Sequence, residues 1–129
     1  MKNGMLAVLM AAVFCIATVS ATEYQIPFGL PALPDARLII SDKIDSPSGD
    51  REESIFRFAT TATPQEVDTF YRSALEAAGF LVSAKSDKGD SIFTSGKRDR
   101  DRITVSAKRD SEEVQPGEVE VLIVGKYDK

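Results

Sequence analysis

Between residues 63 and 80 the chain carries its one clear helical pattern. Val67, Phe70, Tyr71, Ala74, Leu75 and Ala78 follow the i, i+3, i+4, i+7, i+8, i+11 series that draws a single apolar stripe down a helix. Gln65, Asp68, Arg72, Ser73 and Glu76 fall off that stripe and are expected to face water. Both ends are marked. Thr63 and Glu66 have the spacing of a capping box, in which each side chain satisfies a backbone N–H that the first turn leaves without a partner. Pro64 stands at the first helical position, where its missing N–H costs nothing. Gly79 is placed to take the left-handed conformation that ends a helix, with Phe80 behind it to pack back on the last turn. The pattern predicts a helix over about 64–78, anchored by Phe70 and Leu75. One apolar face calls for one partner, most simply a sheet.

On either side the period changes from 3.6 to two. A short strand is expected over 36–41 with Leu38 and Ile40 on one face, followed by a turn-rich loop over 42–52. Over 54–60, Phe56 and Phe58 alternate with Ile55, Arg57 and Ala59. After the helix, 80–85 and 91–95 flank a five-residue connection containing Gly89, an ordinary hairpin signal. Residues 102–109 alternate Ile103, Val105 and Ala107 against Thr104, Ser106 and Lys108. The last strand, 118–125, puts Val119, Val121 and Ile123 on one side. Leu122 and Val124 on the other side predict that this end is covered on both faces. Glu118 and Glu120 are expected to look at water or to meet Lys108 or Arg102 across the ladder. The order β-β-α-β-β-β-β predicts an α+β fold, one antiparallel sheet of five to six strands with the helix on its inner face.

The first 21 residues stand outside this domain. Lys2, the apolar run over 5–17 and the small residues Val19 and Ala21 around Ser20 have the form of a signal peptide cleaved after Ala21. Cys15 follows the bulky Phe14, where a lipoprotein signal needs a small residue, so it is expected to leave with the signal. Residues 22–35 contain Pro27, Pro31 and Pro34 and predict an extended leader. Its Ile26, Phe28, Leu30 and Leu33 predict that it lies across its own domain or across a partner. Residues 36–129 then form a single domain.

Loss of Lys2 with the signal takes the formal charge from −4 to −5, which argues against nucleic acid as a partner. The remaining chain has no histidine and no cysteine, so disulfides, thiol nucleophiles, His/Cys metal sites and histidine acid–base pairs are excluded. Asp45, Asp50 and Glu52 lack the spacing of a helix-loop-helix calcium site. Ser106 and Lys108 share a strand face without an oxyanion site, and Glu112, Glu113, Glu118 and Glu120 have no facing geometry that would suit a two-carboxylate hydrolase. No catalytic residue, metal or cofactor is expected. The conspicuous charge run is Lys97-Arg98-Asp99-Arg100-Asp101-Arg102, on the expected loop between the fourth and fifth strands. Its four cations could grip a phosphate, a lipid head group or an acidic partner, while Asp99 and Asp101 offset them. Candidate partner-binding residues are therefore Lys97, Arg98, Arg100 and Arg102, with Ile26, Phe28 and Leu30 of the leader.

The series from Pro64 through Val67, Phe70, Tyr71 and Leu75 to Gly79 and Phe80, followed by hairpins, resembles the small helix-on-sheet domains of bacterial exported proteins. It is similar in outline to the helix-grip domains of the outer-membrane assembly lipoprotein C. The resemblance implies a fold and an envelope compartment and carries over no catalytic residue. The expectation is a periplasmic or secreted, non-catalytic binding or envelope-accessory module. Its partner would be a protein of the cell envelope, and no stable membrane span would remain after cleavage. The alternative is an inhibitor or immunity protein that inserts the charged loop into an exported enzyme.

Overall fold

The computed structural model describes residues 26–129, the side chains of Ala84 and Lys85 apart. The expected signal peptide and its cleavage point lie outside the described residues. The elements are β1 (Arg37–Asp45), β2 (Arg51–Thr60), α1 (Pro64–Ala77), β3 (Leu81–Asp87), β4 (Ser91–Arg98), β5 (Asp101–Arg109) and β6 (Val119–Asp128). The six strands form one sheet in the order β1-β2-β6-β5-β4-β3, with every neighbouring pair antiparallel. The last strand thus slots between β2 and β5, and β1 and β3 are the edges.

The helix follows its sequence signals. Thr63 and Glu66 make both hydrogen bonds of the capping box, at 3.1 Å each. Gly79 is left-handed at φ 87, and the Phe80 N–H donates to the Leu75 carbonyl at 2.9 Å. Two expectations are corrected. The anchors are Val67, Tyr71 and Leu75, all buried, whereas Phe70 is half-buried against the Tyr71 ring, edge to face at 5.0 Å. Asp68, expected on the wet side, is only 8 % exposed. Its carboxylate accepts from the Thr94 hydroxyl at 2.5 Å and from the Arg72 guanidinium at 2.9 Å, and such partners are what make a buried charge tolerable.

The capping box also sets an acid response. Hydrogen bonds from the Thr63 backbone and hydroxyl hold the Glu66 carboxyl below its ordinary value near 4.5. A lowered folded-state pKa adds stability above the unfolded value, and that stability is lost as pH falls through the folded one. Glu66→Ala should therefore have a lower urea midpoint than the parent at neutral pH, with the gap closing in acid below the carboxylate range. A gap of constant size at both pH values would contradict this.

β1 and β2 are longer than the alternation suggests, with only residues 46–50 between them. Residues 42–45 pair with 52–55 at the sheet edge, where β1 is exposed on both faces and only Ile44 among residues 42–45 is apolar, so no period of two is visible. A bulge between Leu38 and Ile40 places Leu38 opposite Phe58 and Ile40 opposite Arg57. The two residues therefore lie on opposite faces, contrary to expectation, because one extra residue inverts the alternation.

The inner face is buried. Phe56, Phe58, Ile103, Val105, Ala107, Val119, Val121 and Ile123 form one core with the helix, which lies over β3, β4 and β5. The N-terminal segment covers the part over β6, with Ile26, Leu30 and Leu33 buried in the same cluster. It is not simply extended. Pro27–Gly29 make a 3-10 turn in which Phe28 has φ 62. Pro27 sits so close to Gly125 that a Cβ there would come within 2.8 Å of it. Among the described residues the outer face carries no second layer, and Leu122 and Val124 are half-buried rather than covered on both sides.

Candidate functional site

Strand geometry divides the charged run among three places. β4 extends to Arg98 and β5 begins at Asp101, leaving a two-residue turn in which Asp99 is left-handed at φ 53. The expected six-residue loop is therefore mostly ladder. Arg98 turns to the inner side, with its guanidinium 4.5 Å from the Phe80 ring centre and 5.5 Å from that of Phe28. It donates to the Ala78 carbonyl at the helix C-terminus at 2.7 Å and to Asp101 at 3.0 Å. Arg98 is a clamp between helix end, leader and turn. Arg100, at the tip, reaches Asp128 at 3.6 Å, and Asp128 also holds Arg51 at 2.6 Å.

Lys97 and Arg102 project from the outer face, opposite one another in the β4–β5 register. Arg102 in turn stands opposite Lys126 in the β5–β6 register. The result is a row of three exposed cations on adjacent strands, none of which forms an ion pair among the described residues. Arg102 donates to the carbonyls of Asp99 and Asp101 at 2.8 and 2.9 Å, which orient its side chain without neutralising it. Glu53 follows Lys126 in the row but makes no ion pair with it. Like charges directly opposite destabilise a sheet, so the row is a local burden on the fold.

The same face handles its other arginines differently. Arg37 meets Glu118 at 2.8 Å and Arg57 meets Glu120 at 2.9 Å. The Gln115 N–H and then Arg37 draw the Glu118 carboxyl below its ordinary range. Glu120 faces Lys108, as expected, but Arg102 meets neither glutamate. One row inward from the cations lie Ser95, Thr104, Val124 and Ile55, and beyond them Phe93, Ser106, Leu122, Arg57 and Ile40. Phe93 and Ile40 are 41 % and 43 % exposed. A shallow open cleft of about 320 Å³ beside Lys126, lined by residues that include Ile44, Arg51 and Glu53, continues the row toward the β1–β2 turn.

The leader residues are elsewhere. Ile26 and Leu30 are core, and Phe28 meets the rings of Phe80 and Tyr127 edge-on at 5.0 and 5.5 Å. The Tyr127 hydroxyl donates to Glu52 and shares a hydrogen bond with the buried Ser54, both at 2.6 Å. Burial, and then the neighbouring Glu52, push the phenol upward. Among the described residues no group of three carboxylates is placed to hold a metal ion, and no helix is long and apolar enough to cross a membrane.

A family model described as START domain-like matches residues 40–117, more than half of the chain. The chain belongs to the START domain-like family. The helix-on-sheet arrangement fits that assignment, and no link to the outer-membrane assembly lipoprotein C is shown. Neither a curated protein nor a solved structure matches the chain. The START domain-like match includes Lys97 and Arg102 but stops before β6. Lys126 and the leader lie outside it.

Sequence reasoning found two members of the row and missed the third. Lys126 carries no motif, and it joins Arg102 only because β6 pairs with β5.

Proposed function

We propose that this protein is an exported, non-catalytic binding module that recognises a protein of the cell envelope through the outer face of its sheet. The observation that carries the reading is the alignment of Lys97, Arg102 and Lys126 on neighbouring strands without an ion pair among the described residues, although Glu53 stands opposite Lys126, on a face where Arg37 and Arg57 each have one. Like charges facing one another across the ladder weaken the sheet, and an anionic partner would relieve that repulsion. Export rests on the signal-like residues 1–21. The non-catalytic character rests on a chain without histidine or cysteine after residue 21.

The test is a pull-down from an envelope extract with the parent, with Lys97→Gln/Arg102→Gln/Lys126→Gln and with Lys108→Gln as a single-charge control on the same face but outside the row. The parent and the control should recover the same partner, and the triple variant should lose it while melting no lower than the parent. Undiminished recovery by the triple variant would remove this face as the binding surface. Substrate turnover by the purified protein would overturn the non-catalytic reading.

A further inference from the structure

We infer that the outer face takes an acidic amphipathic helix of the partner, laid across the strands with its carboxylates over Lys97, Arg102 and Lys126. This rests on the reading of that face as the binding surface. Strands are about 4.8 Å apart, so the row from β4 to β6 spans about 10 Å. A helix rises about 1.5 Å per residue, so positions i to i+7 cover about 10.5 Å, with i, i+4 and i+7 on one side. Three carboxylates at that spacing match three cations on successive strands. The next row on the same face lies about 7 Å further along the strands, within the roughly 10 Å width of one helix. There Ser95 and Thr104 are polar on β4 and β5 while Val124 and Ile55 stand half-buried on β6 and β2, so the apolar flank of the helix would be received at its β6–β2 end, with Leu122 beyond.

Other occupants fit less well. Without the signal the chain has a formal charge of −5; that field acts on both kinds of anionic partner, but an extended anionic bilayer would face the acidic surface around the row as well, whereas a helix of limited length engages the row alone at short range. A two-fold contact with a second copy whose axis passes through the row would bring cation row toward cation row.

The probe is a labelled synthetic helix of about four turns with glutamates at the i, i+4, i+7 spacing and leucines on the adjoining flank. Fluorescence anisotropy with the full chain should show binding that weakens about tenfold or more in the Lys97→Gln/Arg102→Gln/Lys126→Gln variant and at high salt, and not in Lys108→Gln. An isomer of the same composition with its glutamates spread around the helix should bind about tenfold more weakly. Equal binding of the isomer would overturn the inference, because charge alone would then suffice. Binding to phosphatidylglycerol vesicles that depends on the three cations, with none to the peptide, would also overturn it while leaving the face as a binding surface. No binding to either probe would overturn the helix, and the envelope pull-down would still decide the surface.

Discussion

Leu75→Ala should destabilise the protein by about 2–5 kcal/mol, the range for truncating a fully buried leucine in a core that collapses incompletely around the loss. Leu75 is completely buried between the helix and the sheet, in the cluster that contains Val67, Tyr71 and Phe80. Its carbonyl also receives the Phe80 N–H that closes the helix C-terminus, a bond that the substitution leaves in place. The neighbouring Glu76 is exposed, and Glu76→Ala should change stability by no more than about 0.5 kcal/mol. Urea midpoints of the two variants against the parent provide the check, and equal midpoints would mean that the helix buries a different face.

The second large effect is expected at the N-terminal segment. Leu30→Ala should cost about 2–4 kcal/mol, as for a core leucine, because Leu30 is only 6 % exposed and belongs to the same cluster as Phe56 and Ile123. The matching perturbation from the opposite side is Gly125→Val. Its added carbons would collide with Pro27 and the Phe28 ring, already 2.8 and 3.1 Å from a Cβ, and overpacking of this kind typically costs about 1–3 kcal/mol. Each variant should show a lower denaturation midpoint and faster proteolytic cleavage near residues 26–35. If the segment were a detachable arm, both substitutions would leave the midpoint unchanged.

These two regions differ in how far the sequence discloses them. The helix is legible because its information is local. Cap, period and stop all lie between Thr63 and Phe80, and the structure alters only which aromatic anchors it and where Asp68 points. The leader is legible as apolar and Pro-rich, but its path is decided by Gly125, a residue about a hundred positions away that leaves room for Pro27. No local pattern records that contact.

The cation row lies between these cases. Lys97 and Arg102 stand out in the sequence, yet the run containing them reads as a loop because charge obscures strand alternation, and the Asp99-Arg100 turn lacks the Asn-Gly signal of a tight hairpin. Alternation sends Arg98 inward and Lys97 outward. Lys126 enters through strand order, and hydrophobic period states which face a residue occupies without stating which strand lies beside it.

The bulges in β1 and β3 have a consequence for self-association. A nine-residue edge strand such as β1 offers a row of free N–H and C=O groups on which another chain could template, and each addition would present a new edge of the same kind. Here both terminal strands are interrupted, between Leu38 and Ile40 and between Val82 and Ala84. Each irregularity twists the edge and spoils the regular ladder that an incoming strand requires. Asp42, Lys43 and Asp45 add charge along the exposed border of β1. Removing Ile39 would straighten β1 into an even template while β3 stays irregular, and the resulting hazard would be edge-to-edge pairing of two folded molecules through β1.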